Sequence, residues 1–415
     1  MEKLEIFKKT SCRVCEKSNP RKVLTLGPTP PANAFLTEEQ SNQGEKFYPL
    51  DVYFCTGCGF LQLGHVISPE ILFGNYLYVS STSQVFVKHF ESMAEHLYSL
   101  FNLNSKSLVI DIGSNDGILL KPFKKLGTKV LGIEPAKNIA QMARDSGIRT
   151  ESDFFSQNLT QKIVKKYGQA DLITATNVFA HIDNLDEVIK GLKIILKDNG
   201  VFMIEAPYLI DFLQKRYFDL VYHEHLSYWS VDSLKTLFKR FEMTVFRVEK
   251  VPVHGGTIRV FLKRNEGKWP IEKSVEKFLN LEKKMRLKEI STYLSYADKV
   301  YENKVKLLTL LGKIKRQGKT IAAYGAPAKG NTLLNFFSIG TETLDFVVDD
   351  SPFKQGLYTP GKHIPVVPSS EIYAKKPDYI LILAWNFAES IMKMHEKYHA
   401  AGGRFIIPVP KPKII

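Results

Sequence analysis

The chain has 415 residues, too many for a single hydrophobic core, and this length predicts two or three domains. Its composition is 44% hydrophobic and 24% charged, with no apolar run long enough to span a bilayer, which excludes an integral membrane protein and favours a globular one. The net charge of +14 suits an anionic partner such as a nucleotide diphosphate, but the basic residues are scattered as on solvated helix surfaces, which disfavours nucleic acid and membrane surfaces.

All the cysteines lie near the N-terminus, in two pairs of identical spacing: Cys12 with Cys15, and Cys55 with Cys58. Two such pairs can close a tetrahedral shell of thiolates around one structural zinc ion, and the alternative is a pair of redox dithiols or disulfides. The opening MEKLEIFKKT has no apolar signal-peptide core, so reduced thiols and a cytoplasmic location are expected. Residues 1–75 are therefore predicted to form a zinc-binding module of short strands and turns.

The central part of the chain, residues 76–270, predicts an α/β domain. A tyrosine-bearing segment leads to a predicted helix, VFVKHFESMAEHLYSLF, after which strands and helices alternate. The predicted strands are SLVIDIG, KVLGIEP, IRTESDF, ADLITATNVF and GVFMIEAPY, and the predicted helices between them include AKNIAQMARDSG and the segment from Leu185 to Leu196. This alternation is typical of βαβ units in a doubly wound parallel sheet.

A cofactor site is predicted where the first of these strands turns into a helix, in the sequence DIGSNDG. Glycines in such a turn allow close approach of the backbone, and Glu134, at the end of the next strand, can accept hydrogen bonds from both ribose hydroxyls. Dinucleotide sites usually carry GxGxxG, whereas this turn is DxGxxxG, and its acids would repel a pyrophosphate. The pattern favours a cationic cofactor, S-adenosylmethionine, over a dehydrogenase site or a ligand-free turn. The predicted cofactor-binding residues are Asp111, Gly113, Ser114, Asn115, Gly117, Glu134, Asp153, Phe154 and Asn177.

A catalytic cluster is predicted at the same edge of the sheet. Tyr222, Glu224 and His225 follow the strand GVFMIEAPY, and His181 follows ADLITATNVF. Imidazoles, a carboxylate and a phenol suit proton transfer near neutral pH. A metal bound at the His-Glu-His sequence and a loop of satisfied polar residues are the alternatives.

The last part of the chain predicts a connector and a second α/β unit. Residues 271–317 are rich in Lys, Glu and Leu and predict one or two helices. The strands that follow, KTIAAYG, LDFVVDD, PDYILILAWNF and GGRFIIPVP, indicate a smaller Rossmann-like domain. Its first strand meets a helix at Lys329, where a lysine and a helix N-terminus predict an anion site, unless the segment is only a tight turn.

Together these motifs resemble one family, the S-adenosylmethionine-dependent C-methyltransferases that act on nucleotide-linked keto-deoxysugars. The cysteine pairs match its zinc module, VIDIGSNDG, GIEP and YHEHLSYWS match its methyltransferase domain, and AAYGAPAKGN and VVDDSP…TPGKHIPV match its C-terminal domain. The resemblance covers nearly the whole chain. It implies a class I methyltransferase domain between the zinc module and a Rossmann-like nucleotide-sugar-binding domain that, with its helical connector, spans residues 271–415.

The resemblance also implies a reaction, carbon methylation of a nucleotide-diphosphate 4-keto-deoxysugar that is expected to carry dTDP. A histidine matching His225 is expected to remove the proton next to the ketone, and the enolate to attack the methyl of S-adenosylmethionine. Tyr222, Glu224 and His181 are expected to position the sugar or stabilise the enolate. The expected substrate-binding residues are Tyr76, Tyr78, Lys329, Asn331 and Tyr358.

Three other functions stay open at this point. They are oxygen or nitrogen methylation of a nucleotide sugar, methylation of RNA, and non-catalytic binding of a nucleotide sugar. Only carbon methylation requires loss of a hydrogen from the sugar ring. We expect S-adenosylmethionine and structural zinc as cofactors, a small-molecule substrate, no nucleic acid or membrane partner, and a monomer.

Overall fold

The structure is a computed structural model, and it describes residues 5–17, 19–73, 79–82 and 84–415. Tyr76 and Tyr78, two of the expected substrate-binding residues, lie outside the described residues. Across the described part of the chain, every helix is too short or too polar to cross a lipid bilayer.

The N-terminal module is built on an antiparallel sheet. Its elements are β1 (Ile6–Lys8), β2 (Arg21–Thr29), α1 (Glu38–Ser41), β3 (Tyr48–Phe54), β4 (Leu61–Leu63), β5 (His65–Ile67) and α2 (Pro69–Phe73). Alternate residues of β3 point into the core, as expected for a strand with one solvated face. The sheet has the order β11–β4–β3–β2, and β11 (Ser227–Tyr228) comes from the middle of the chain, directly after the His-Glu-His sequence. The module therefore completes its sheet with residues of the central domain.

The central domain is a seven-stranded sheet. Its elements are α3 (Gln84–Leu100), β6 (Leu108–Ile112), α4 (Leu120–Lys125), β7 (Lys129–Ile133), α5 (Lys137–Asp145), β8 (Thr150–Glu151), α6 (Gln157–Tyr167), β9 (Ala170–Thr176), α7 (Leu185–Ile195), β10 (Leu196–Pro207), α8 (Leu209–Gln214), α9 (Val231–Lys239), β12 (Met243–Val251) and β13 (Thr257–Arg264). Its strand order is β12–β13–β10–β9–β6–β7–β8, and β13 runs antiparallel to both of its neighbours. This is the class I methyltransferase sheet, and the predicted fold is confirmed.

The sheet is covered on both faces, and this explains why the sequences of its strands are continuous apolar runs. In β6, Ile110 and Ile112 pack into one core cluster while Val109 packs into another on the opposite face. The predicted strand IRTESDF is mostly wrong, because only Thr150–Glu151 pairs with the sheet. This segment carries charged residues at an edge, where strands are short. The hairpin of β12 and β13 was not predicted.

The C-terminal domain is a second, smaller parallel sheet with helices. Its elements, with the two connecting helices, are α10 (Lys273–Lys284), α11 (Ile290–Arg316), β14 (Ile321–Tyr324), α12 (Ala328–Phe337), β15 (Val347–Val348), β16 (Val366–Val367), α13 (Glu371–Lys375), β17 (Tyr379–Ile382), α14 (Ala388–Met394), α15 (Glu396–Ala400), β18 (Arg404–Ile407) and β19 (Lys413–Ile414). The strand order β16–β15–β14–β17–β18–β19, with β19 antiparallel, is that of a doubly wound nucleotide-binding sheet.

The domain boundaries after residues 75 and 270 stay predictions, because contacts cross both. At the first, β11 pairs with β4. At the second, α10 packs on α9 and β12, and the Glu282 carboxylate of α10 accepts hydrogen bonds from the backbone N–H of Val231 and Asp232 at the start of α9. The first half of the predicted connector thus packs on the central domain.

Candidate active site

The thiols of the N-terminal module converge on one point. Cys12 and Cys15 lie in a turn after β1, and Cys55 and Cys58 in the turn after β3. All four sulfurs lie within 4.8 Å of one another, and the closest pairs join the two turns: Cys12 to Cys58 and Cys15 to Cys55, each at 3.6 Å. Zinc bound to four thiolates at about 2.3 Å separates its sulfurs by about 3.8 Å. The donor set fits one tetrahedral zinc ion, and the cross-pairing is not that of two CxxC disulfides.

The turn after β6 is shaped by its glycines. Gly113 has a φ of +68°, and a Cβ there would lie 2.7 Å from Cγ2 of Val178. Gly117 has a φ of +80°, and a Cβ there would crowd the side chain of Ile148. Both positions therefore require glycine, and they allow the turn to fold tightly against β9 and the start of β8.

Buried acids surround this turn. Thr174 donates a 2.6 Å hydrogen bond to Asp111, and burial raises the pKa of Asp111 to about 7. The Glu134 carboxylate accepts backbone hydrogen bonds from Asn115 and Ala136, at 3.0 and 2.9 Å, and burial raises its pKa as well. Two buried carboxylates make this edge of the sheet suited to a cationic ligand.

A single cavity of about 1220 Å³ runs from this turn to the other two modules. The predicted site residues that line it are Asp111, Gly113, Ser114, Asn115, Glu134, Asp153, Phe154, Asn177, His181, Tyr222, Glu224, His225 and Lys329. Its wall also includes Ser80, whose backbone N–H donates to Oδ1 of Asn115 at 2.9 Å. The Ser114 hydroxyl is buried without a hydrogen-bond partner among the described residues. An adenosyl amino acid with a cationic centre fits this combination of acids and an unused hydroxyl.

His225 is held in one orientation by its loop. Its Nδ1 lies 2.8 Å from the carbonyl oxygen of Leu220, so Nδ1 carries the proton. Its Nε2 lies 2.7 Å from the Tyr222 hydroxyl, which donates to it when the imidazole is neutral. The basic nitrogen of His225 is therefore Nε2, on the side of Tyr222 at the cavity.

The second histidine of the cluster lies beside the first. The rings of His181 and His225 are 5.1 Å apart, centroid to centroid. Burial lowers the pKa of His181 to about 4, so its imidazole is neutral at pH 7. A neutral His181 adds no positive charge of its own beside the His225 ring.

The remaining members of the His-Glu-His sequence have different surroundings. His223 is buried away from the cavity, with Nε2 at 3.2 Å from the carbonyl oxygen of Tyr48. The two histidines of this sequence therefore diverge. Within the described ranges, the cysteine cluster alone could hold a metal ion with three or more ligands. Glu224 accepts a 2.6 Å hydrogen bond from Nδ2 of Asn33, a cavity residue of the N-terminal module that the sequence reasoning missed.

The C-terminal domain contributes a lysine to the opposite wall. The ammonium of Lys329 lies 4.2 Å from the centre of the Trp385 ring and contacts Oδ1 of Asn386. Trp385 in turn donates from Nε1 to the buried carboxylate of Asp219 in the central domain. Burial lowers the pKa of Lys329 to about 8, and Asp219 opposes that change. Lys329 therefore titrates within about one pH unit of neutrality, and at pH 7 it is mostly charged.

Two predicted substrate residues do not line the cavity. Asn331 is buried, and its Nδ2 donates to the carbonyl oxygen of Ala32 at 2.8 Å. Tyr358 exchanges backbone hydrogen bonds with Leu36. Both join the C-terminal domain to the N-terminal module and lie outside the cavity wall. Gly117 also lies outside the cavity wall and shapes the cofactor turn instead.

Three sequence-family models match consecutive parts of the chain. Residues 12–73 match one described as "Putative zinc binding domain", residues 86–248 match a methyltransferase domain, and residues 252–410 match a C-methyltransferase C-terminal domain. The three matches follow the order of the modules in the structure.

Individual proteins resemble all or part of the chain. C-methyltransferase NovU of Streptomyces niveus is 36% identical over 97% of this chain and 96% of its own. The ubiquinone biosynthesis O-methyltransferase of Pelagibacter ubique is 26% identical over 29% of this chain and half of its own length. Among solved structures, the PH0226 protein of Pyrococcus horikoshii matches 45% of the chain with 13% identity and a TM-score of 0.35. The plantazolicin methyltransferase BpumL, bound to S-adenosylhomocysteine, matches 43% with 15% identity and a TM-score of 0.33.

Proposed function

Since this chain belongs to the S-adenosylmethionine-dependent C-methyltransferase family that includes NovU, we propose that it methylates a ring carbon next to the ketone of a nucleotide-linked 4-keto-deoxysugar. The observation that carries this proposal is the orientation of His225, whose Nε2 lies at the cavity that also contains the acidic cofactor turn. A base for a C–H bond is what carbon methylation needs.

His225 takes the ring proton in this proposal. A hydrogen next to a ketone is acidic enough for a positioned imidazole, and the proton goes to Nε2 while the Leu220 carbonyl holds Nδ1–H. As the proton arrives, the Tyr222 hydroxyl turns from Nε2 to the oxygen of the enolate and donates to it. The electron pair left on carbon would form the new bond to the methyl group, and the cofactor sulfur would keep the electrons of the broken sulfur–methyl bond.

Glu224 and His181 are the neighbours of His225 and Tyr222 in the proposed site. Glu224, held by Asn33, lines the cavity, where a carboxylate can accept a hydrogen bond from a sugar hydroxyl. His181, held neutral by burial, packs against the His225 ring without adding a charge that would lower its basicity. Together they keep the reacting carbon close to the base, which supplies much of the rate.

The acidic turn would hold S-adenosylmethionine, which supplies the methyl group. Glu134 would accept the ribose hydroxyls, Asp111 and Ser114 would meet the amino-acid end, and Asp153 and Phe154 would flank the adenine. Asn115 and Asn177 complete the proposed wall.

On the other side, Lys329 would contact the diphosphate of the substrate, which we propose to be a dTDP sugar. The cytoplasmic location and the monomeric state stay predictions from the sequence.

Hydrogen exchange tests the proposal directly. The enzyme is incubated in D₂O with S-adenosylhomocysteine and dTDP-4-keto-6-deoxyglucose, and the ring carbons are followed by NMR. We expect exchange next to the ketone with the native enzyme, and its loss in His225→Gln. Methyl transfer to a keto sugar in which every ring hydrogen is retained would contradict the proposal and indicate oxygen methylation.

A further inference from the structure

An arginine of the zinc-binding turn extends into the active site of the neighbouring domain. Arg13 lies between the metal-binding residues Cys12 and Cys15, and its side chain is completely buried. Its guanidinium contacts the loops that carry His181 and His225. Nε and Nη1 have hydrogen-bond partners there, whereas Nη2 is buried without a partner among the described residues.

The first partner belongs to the His181 loop. Nε of Arg13 donates to Oδ1 of Asp183 at 2.8 Å. Asp183 lies two residues after His181 and lines the cavity. This ion pair fixes the loop against the zinc-binding turn.

The second and third partners are backbone carbonyls, one at the end of β4 and one in the His225 loop. Nη1 of Arg13 donates to the carbonyl oxygen of Leu63 at 2.7 Å and lies 3.5 Å from that of Leu226. Leu226 directly follows His225, and its backbone N–H donates to the carbonyl oxygen of Ala180, next to His181, at 2.8 Å. The guanidinium thus lies where the two histidine loops meet.

We propose that Arg13 is a positioning residue, which sets the spacing of His181 and His225 from the zinc-binding turn through Asp183 and the Leu63 and Leu226 carbonyls. The guanidinium of arginine spreads its donors over three nitrogens and can reach the carboxylate and the carbonyls from different atoms, whereas lysine has all its donors on one nitrogen. Zinc would hold the backbone of Arg13 in place, so the metal would act on the reaction through this side chain without entering the cavity.

The chain offers a matched control in Lys9. Its Nζ lies 3.4 Å from the other carboxylate oxygen of Asp183, and its side chain is partly exposed. Lys9 therefore also pairs with the Asp183 carboxylate. In the described part of the chain, it forms no hydrogen bond to Leu63 or Leu226. Lys9→Met tests the charge at Asp183, and Arg13→Met tests the bracing of the loops.

The first readout is independent of any substrate. In protein labelled with ¹⁵N-histidine and saturated with S-adenosylhomocysteine, the native enzyme should show His225 as the fixed Nδ1–H tautomer. We expect Arg13→Met to keep one zinc per chain and to bind S-adenosylhomocysteine within about threefold of native, while the His225 signals average between tautomers. An unchanged His225 spectrum in Arg13→Met, or the same averaging in Lys9→Met, would overturn the proposal.

The second readout uses turnover of dTDP-4-keto-6-deoxyglucose and rests on the proposed function. Displacement of a base by about 1 Å can cost about 100-fold in rate, so we expect kcat to fall about 100-fold in Arg13→Met, with KM within threefold. Arg13→Lys should lose about tenfold, and it decides the question if Arg13→Met does not fold: native kcat in Arg13→Lys would then refute the role. If the native enzyme neither exchanges nor methylates this sugar while the His225 signals respond to Arg13, the proposed substrate is wrong and the positioning role stands.

Discussion

The two parallel sheets of this chain carry equivalent turns with opposite electrostatic character. In each, the first strand of the sheet turns into a helix, and an acid ends the second strand: Glu134 after β7 and Asp349 after β15. In the central domain the turn is acidic, with buried Asp111 and Glu134. In the C-terminal domain the turn carries Lys329 instead. The same topology thus carries two buried acids at one edge and a lysine at the other.

The two acids are held alike but have different charges beside them. Each lines the cavity and accepts two backbone N–H groups of its own domain: Ala326 and Ser351 at 2.7 and 2.9 Å for Asp349, and Asn115 and Ala136 at 3.0 and 2.9 Å for Glu134. Lys354 lies 3.6 Å from the Asp349 carboxylate. Glu134 instead lies beside the buried carboxylate of Asp111. Topology alone therefore does not tell which ligand an acid at this position receives.

The largest expected effect comes from removing the proposed base, His225, which lines the cavity with both turns. General-base catalysis contributes about 100- to 10,000-fold, so His225→Gln should lower kcat about 1000-fold. Affinity for S-adenosylhomocysteine and dTDP should stay within threefold by calorimetry, since neither turn is altered. His223→Gln is the matched control: this buried histidine contacts the Tyr48 carbonyl, and its loss should lower the melting temperature more than kcat. If His223→Gln lowers kcat more than His225→Gln does, His225 is not the base.

The second effect separates the acidic turn from the basic one. Hydrogen bonds to a charged group contribute about 1.5–3 kcal/mol, so Glu134→Gln should weaken S-adenosylhomocysteine binding about 10- to 100-fold. The affinity for dTDP, measured in the same calorimeter, should stay within twofold. If Glu134→Gln weakens both ligands equally, the two turns do not act as separate sites.

The third effect concerns Lys329 and has a pH signature. Burial lowers the pKa of this ammonium to about 8, so it is charged below pH 8 and neutral above it. The affinity for dTDP should therefore fall as pH rises through 8, and Lys329→Met should be about tenfold weaker than native at pH 7 and insensitive to pH. Lys329→Arg, which stays charged, should remove the pH dependence. Native binding that stays constant from pH 7 to pH 9 would exclude Lys329 as the anion contact.

Local motifs account for what the sequence could predict. The cofactor turn was found because its glycines, its acids and Glu134 are read from short segments at fixed spacings. Asn331 was misplaced for a related reason. It belongs to the same motif as Lys329, but residues two apart on a helix point to nearly opposite sides, so Lys329 faces the cavity and Asn331 faces Ala32.

Long-range pairing explains what was missed. Asn33 meets Glu224 across 191 positions of the chain, and Arg13 meets Asp183 across 170. The sequence around Asn33 does not mark the first pair, and the pairing of β11 with β4 is itself a contact between distant parts of the chain. The one available signal was the placement of an arginine between two zinc ligands, where its side chain must leave the metal and find other partners.

The smallest effect on binding is expected at Asp349, and it tests the comparison most closely. If this acid only braces its own turn, Asp349→Asn should change the dTDP affinity less than twofold. An asparagine cannot accept hydrogen bonds from both Ala326 and Ser351, because its Nδ2 is a donor, and one backbone N–H is left unpaired. That should lower the free energy of unfolding by about 1–3 kcal/mol, measured by urea denaturation. A tenfold loss of dTDP affinity at native stability would instead make Asp349 a ligand contact, and the two turns would then use their acids alike.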